Sequence, residues 1–92
     1  MVLMKNLTLK IYGDVQGVGY RISAYWIARK LHVGGFVMNE PDGSVYIESE
    51  GEEEALHKFL EWCKKGPITA KVERVEVAWS AAHGKFTGFR IA

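Results

Sequence analysis

Tyr12-Gly-Asp-Val-Gln-Gly-Val-Gly-Tyr-Arg21 decides the fold, because the hydrophobic pattern changes its period across this stretch. Before it, apolar residues alternate with polar ones, as in a half-buried strand, at Leu7, Leu9 and Ile11. After it, apolar residues recur at the spacing of one helical face, at Tyr20, Ala24, Ile27, Ala28 and Leu31. The stretch is therefore predicted to be a glycine-rich turn that leads from a strand into a helix.

The composition of this turn favours an anion site. Gly13, Gly17 and Gly19 allow the backbone to curl with its N–H groups pointing inward. The first turn of a helix adds free N–H groups and a positive dipole end. Arg21 opposes that dipole, and a bound anion is the simplest reason for a cation at this position. The local pattern alone leaves a purely structural turn equally open.

Two common phosphate-binding motifs do not fit the spacing. No Gly-Lys-Ser/Thr follows Gly13 at the distance that a Walker A loop requires. A dinucleotide-binding fingerprint would have a third glycine where Ile22 stands. The turn is therefore neither of these two motifs.

Length and composition predict one domain, residues 1–92, of an ordinary globular kind. The net charge of +1 comes from 12 basic and 11 acidic residues spread along the chain, which argues against a nucleic-acid or membrane-surface partner. Met1-Val-Leu-Met4 lacks the apolar core of a signal peptide, and no apolar run reaches membrane-spanning length. The single Cys63 cannot form an internal disulfide, so a cytoplasmic location is expected.

The rest of the chain predicts an α+β fold. Strands are expected at 36–39, 44–49 and around 70–79, a helix from Glu52 to the Gly66-Pro67 stop, and a short fifth strand at 86–91. A left-handed His32 at the first helix end and a bulge near Arg74 are also expected. The order βαββαβ plus a fifth strand predicts a ferredoxin-like two-layer sandwich, with two helices on one face of a mostly antiparallel sheet.

This topology places a second polar residue at the turn. The first two strands of such a sheet run parallel with the third strand between them, so Asn39 follows the second strand at the edge where the glycine-rich turn emerges. Two strand spacings, roughly 10 Å, separate them. A phosphoryl group and one water would fit in that gap, which favours a catalytic site over a plain turn.

Val15-Gln16-Gly17-Val18-Gly19-Tyr20-Arg21 closely resembles the signature of the acylphosphatase family, and Asn39-Glu-Pro-Asp-Gly-Ser-Val45 resembles its second motif. The resemblance implies metal-free, cofactor-free hydrolysis of acyl phosphates to a carboxylate and inorganic phosphate. By the same resemblance Arg21 binds phosphate, Asn39 orients the attacking water, and the backbone from Val15 to Tyr20 completes the phosphate cradle. A small-molecule substrate and a monomer are expected.

Other interpretations of individual residues stay open. Lys85-Phe-Thr-Gly-Phe89 faintly resembles the aromatic motif of RNA-recognition modules, which share this topology. A catalytically idle, phosphate-binding relative is another alternative. The three histidines, His32, His57 and His83, are too widely spaced for a metal site, and Cys63 falls on an apolar helical stripe, as a core residue would. The strip of Ile22, Tyr25 and Trp26 either caps the edge of the core, which we favour, or is an exposed patch that invites self-association.

Overall fold

The change of hydrophobic period at residues 12–21 corresponds to a strand-to-helix junction in the computed structural model, which describes residues 3–92. Residues 1 and 2, the start of the predicted 1–92 domain, lie outside the described residues. The elements are β1 (Met4–Asp14), α1 (Tyr20–Lys30), β2 (Gly34–Asn39), β3 (Val45–Glu52), α2 (Glu53–Lys65), β4 (Lys71–Ala81) and β5 (Phe89–Ile91).

The sheet has the strand order β4-β1-β3-β2-β5. β3 pairs antiparallel with both β1 and β2, so β1 and β2 run in the same direction on either side of it. β4 is antiparallel to β1, and β5 is parallel to β2. The predicted ferredoxin-like sandwich with a mostly antiparallel sheet is confirmed.

The core lies between the helices and one face of the sheet. Each central strand buries alternate residues, as the period-2 pattern predicts: Leu7, Leu9 and Ile11 on β1, and Val45 and Ile47 on β3. α2 covers them with its apolar stripe: Leu56, Phe59, Leu60 and Cys63. Cys63 is a buried core residue, as expected, and burial raises the pKa of its thiol.

Two local irregularities that the sequence predicts are present. Tyr12 pairs with Arg74 and Gly13 with Val72, so Glu73 is the extra residue of a β-bulge. At the end of α1, His32 is left-handed with φ 58°. The N–H of Val33 donates to the carbonyl of Ala28 (2.9 Å), which closes a Schellman motif.

Two predictions on α1 and β5 are wrong in part. Ile22 and Trp26 are 47% and 59% exposed, because they lie on the side of α1 opposite to its buried face, and only Tyr25 packs against the edge of the core. The fifth strand begins at Phe89 and not at residue 86, since its pairing with β2 begins only where Phe89 meets Gly35.

Tyr20 connects the start of α1 to the end of α2, and this contact generates a stability prediction. Its buried hydroxyl donates to the carbonyl of Cys63 (2.7 Å), and its ring packs against Trp62. Tyr20→Phe should lower the free energy of unfolding by about 1–2 kcal/mol, because that carbonyl loses its donor. Urea unfolding of the variant and the parent measures the difference.

Tyr46→Phe is the matched control. The Tyr46 hydroxyl has no hydrogen-bond partner within residues 3–92, and its ring is only half-buried. Its removal should change the free energy of unfolding by less than about 0.5 kcal/mol. Equal losses in the two variants would contradict the assignment of the Tyr20 hydrogen bond as a tie between the helices.

Candidate active site

The parallel alignment of β1 and β2 brings the predicted site residues together at one edge of the sheet. The loop after β1 and the end of β2 enclose a cavity of about 180 Å³. It is lined by Val15, Gly17, Gly19, Tyr20, Arg21, Ile22, Asn39 and Ile91. Six of the eight residues predicted for the site therefore line the cavity, and the other two, Gln16 and Val18, lie within the same loop.

The loop takes a conformation that depends on glycine. Gly17 and Gly19 have φ of 74° and 81°, in the left-handed region that other residues rarely adopt. A Cβ added at Gly17 would meet no atom within 4 Å, so the backbone angle and not crowding is what requires glycine there. These angles turn the backbone back on itself immediately before the helix, as an anion-binding loop requires.

The start of α1 is left without a capping side chain. Gly19 is the N-cap residue, it makes no side-chain cap, and the first turn contains no acidic residue. The first bond within the helix runs from the N–H of Ser23 to the carbonyl of Gly19 (3.1 Å). The N–H groups of residues 20–22 therefore precede the helical ladder, at its positive end, beside the cavity.

Arg21 is half-buried and carries the only charged side chain among the described residues that line this cavity. Its Nη1 donates to the backbone oxygen of Ala92 (3.2 Å), just after β5. No Asp or Glu side chain among residues 3–92 forms an ion pair with it. A guanidinium held by one backbone oxygen keeps most of its donors for an anion.

Asn39 presents an unusual feature on the facing side. Its Oδ1 is buried and has no hydrogen-bond partner within the described part of the chain. A buried acceptor without a partner costs about 1–3 kcal/mol, so native structures contain few of them. A water molecule bound in the cavity would donate the hydrogen bond that this oxygen lacks.

The loop is fixed to the structure on both of its sides. The Gln16 Nε2 donates to the carbonyls of Glu40 (2.8 Å) and Ser44 (2.9 Å), which belong to the turn between β2 and β3. On the other side, the hydroxyl of Thr69 donates to the carbonyl of Val18. Only the backbone of Gln16 was predicted to take part in the site, although its side-chain amide, with two donors inside a glycine-rich loop, is itself a signal in the sequence. No sequence signal indicated Thr69.

A larger cavity of about 570 Å³ lies at the opposite end of the sheet, beside Arg29, His32 and Glu50. It contains none of the predicted site residues. The Glu50 carboxylate there is already satisfied by the Asn6 amide and by the N–H groups of His83 and Gly84. Burial raises the pKa of Glu50, but these hydrogen bonds outweigh burial and hold that pKa below its ordinary value.

The structure gives less support to the alternative of an RNA-recognition module. Phe89 is only 8% exposed and packs edge-on against Phe59 in the core, so it is not available to stack on a nucleic-acid base. In residues 3–92 no three His, Cys, Asp or Glu side chains are arranged to hold a metal ion. Over the same residues, no helix has the length and apolar character needed to span a membrane.

Comparisons with known proteins all point to one family. The acylphosphatase family model matches residues 7–91. An acylphosphatase from Salinibacter ruber is 48% identical over 95% of this chain and 92% of its own length. Another from Thermococcus kodakarensis is 47% identical over 90% of each chain. The crystal structure of acylphosphatase from Bacillus subtilis superposes with a TM-score of 0.92 at 35% identity, over 96% of this chain and 98% of that one.

The unpartnered oxygen of Asn39 generates a prediction on stability. Asn39→Leu replaces a half-buried amide by an apolar side chain of similar shape, so it should raise the free energy of unfolding by about 1 kcal/mol. Asn6→Leu is the control: the Asn6 amide is buried and donates to Glu48 and Glu50, so its loss should destabilise the protein. Urea unfolding that shows Asn39→Leu to be as damaging as Asn6→Leu would contradict this description of the site.

Proposed function

The chain belongs to the acylphosphatase family and is a hydrolase of acyl phosphates, and from this premise we propose which residues carry out the reaction. Arg21 and the backbone from Val15 to Tyr20 bind the phosphoryl group, and Asn39 orients the attacking water. The observation that carries the proposal is the buried, unpartnered Oδ1 of Asn39 in the same cavity as Arg21.

The cavity offers the phosphoryl group hydrogen-bond donors. The planar fork of Arg21 can donate to two phosphoryl oxygens, while the N–H groups of the loop and of the first helical turn donate to the third. Donors positioned before substrate binds are supported by the loop angles at Gly17 and Gly19 and by the contact of the guanidinium with the Ala92 backbone oxygen. Donors fixed in advance stabilise charge that develops in the transition state at little reorganisation cost.

Asn39 supplies the orientation of the nucleophile. A water that donates a hydrogen bond to Oδ1 has its lone pair free to attack phosphorus in line with the acyl oxygen. The new O–P bond forms as the P–O bond to the acyl group breaks, and the acyl oxygen leaves as a carboxylate. The proton of the water passes to a phosphoryl oxygen of the substrate, so the products are a carboxylate and dihydrogen phosphate.

This reaction needs neither a general acid nor a metal ion in the proposed mechanism. A carboxylate is a weak base, so the departing oxygen does not require protonation as it leaves. The negative charge of the phosphoryl group is met by Arg21 and by backbone donors. A cytoplasmic location, a monomeric state and the absence of a nucleic-acid partner stay predictions.

Substitutions at Arg21 and Asn39 test these roles in the presence of EDTA. Arg21→Ala should lower kcat/KM for benzoyl phosphate by about 10³-fold or more, since it removes the bidentate partner of the transferred group. Asn39→Ala should lower kcat by about 10²-fold or more while the inhibition constant of inorganic phosphate changes little, because the cradle is intact. Steady-state kinetics on both variants and the parent measure these effects.

Retained activity in Arg21→Ala would refute the assigned phosphate site. Activity of the parent that is lost in EDTA and restored by a divalent cation would refute the metal-free mechanism. A parent that binds phosphate but does not turn over would be a phosphate-binding relative, and the site would stand without the reaction.

Gln16 should act as a positioning residue, because its two hydrogen bonds hold the loop against the turn that follows Asn39. Gln16→Met keeps the length of the side chain and removes both donors. Its kcat should fall about 10- to 100-fold, the effect of a small misplacement of reacting groups. Inhibition by inorganic phosphate should change by less than about threefold, since Arg21 and the loop N–H groups remain. An unchanged kcat would show that the two bonds do not position the site.

A further inference from the structure

The active-site cavity is lined in part by exposed apolar side chains. Ile22, in the first turn of α1, and Ile91, in β5, both line the cavity and are 47% and 39% exposed. Two large aliphatic side chains left in water beside a catalytic cavity have no role in the core. They offer a surface that an apolar group could cover.

The positions of these two side chains are fixed by backbone pairing. Ile91 is paired with Val37 on β2, two residues before Asn39, and the N–H of Ala92 donates to the carbonyl of Val37 (2.8 Å). The Arg21 guanidinium, which adjoins Ile22 in α1, donates to the Ala92 carbonyl (3.2 Å). Ile22 and Ile91 are therefore held on either side of the hydrogen bond that orients the phosphate-binding arginine.

The charges of the cavity lining are as informative as its apolar surface. Apart from Arg21, which faces the phosphoryl group in the proposed reaction, no charged side chain lines the cavity among the described residues. An acyl group with its own carboxylate, ammonium or second phosphate would find no partner there. Such a group would lose hydration without compensation when it entered.

One helical turn beyond Ile22, Trp26 extends the apolar surface away from the cavity. The two residues are separated by four positions, so they lie on the same side of α1, and Trp26 is 59% exposed. Its ring is steadied by an edge contact with Tyr25 and by the guanidinium of Arg29. A longer acyl chain that leaves the cavity past Ile22 would meet this ring.

From these contacts we infer that Ile22 and Ile91 form the acyl-binding surface of the enzyme, and that its preferred substrates are acyl phosphates with uncharged, apolar acyl groups. The inference rests on the proposed function of the same cavity. Both side chains act on specificity: they contact the acyl group and take no part in the transfer of the phosphoryl group.

A substrate series on three variants tests the inference. Ile22→Ala and Ile91→Ala should each lower kcat/KM for benzoyl phosphate about tenfold, and that for acetyl phosphate less than twofold, because acetyl is too small to cover the lost surface. Ile22→Lys should shift the preference towards succinyl phosphate, whose free carboxylate gains a partner. Ile68→Ala is the matched control, since Ile68 is fully exposed and is not among the residues that line the cavity, and it should leave every ratio unchanged.

Inhibition by inorganic phosphate separates acyl recognition from damage to the fold or to the cradle. The inhibition constant of inorganic phosphate should stay within about twofold of the parent value in the two alanine variants, because the substituted side chains contact only the acyl group. An unchanged ratio of kcat/KM for benzoyl phosphate to kcat/KM for acetyl phosphate in the two alanine variants would overturn the inference. Activity of the parent would then leave the proposed function standing. No turnover of any acyl phosphate by the parent would overturn both.

Discussion

The pairing of β1 and β2 with the same strand is the constraint on which the site depends. Because both are antiparallel to β3, their ends emerge at one edge of the sheet, although β2 is separated from β1 by a helix in the sequence. The core secures this register: a slip of one residue would turn Leu9 and Ile47 towards solvent. The distance between the glycine-rich loop and Asn39 is thus set by buried apolar packing, at residues that never contact a substrate.

Two polar groups at the site lack the partners that buried polar groups have elsewhere in the structure. The Glu50 carboxylate accepts hydrogen bonds from a side chain and two backbone N–H groups, and the buried Ser49 hydroxyl donates to the Leu7 carbonyl (2.7 Å). In contrast, the first turn of α1 has no cap and the Asn39 Oδ1 has no partner among residues 3–92. Each of these unpartnered groups costs free energy. The hydrogen bonds of Gln16 and Thr69 hold the loop on both sides, so it does not rearrange to satisfy its own free N–H groups.

The sequence predicted the secondary-structure elements and the meeting of Arg21 with Asn39 at one cavity, because both follow from hydrophobic period and chain order. Hydrophobic period separated the strand before Gly13 from the helix after Gly19, and chain order then placed Asn39 beside Arg21. The position of Ile91 beside this cavity could not be predicted in this way. Ile91 enters the cavity only through the parallel pairing of a three-residue strand, and the contact between Arg21 and Ala92 joins positions 71 residues apart.

The strip of Ile22, Tyr25 and Trp26 on α1 shows what helical period does and does not predict. By helical spacing, Ile22 and Trp26 fall opposite the face of Tyr20, Ala24 and Ala28, so the period itself indicates exposure, and only Tyr25 falls near the edge of the core. The period does not indicate what lies beside an exposed residue. In the structure, Ile22 lines the same cavity as Arg21, and Trp26 lies one helical turn beyond it. Exposed apolar area is unfavourable in the free protein, and its placement beside Arg21 supports the proposal of a substrate that is charged at one end and apolar at the other.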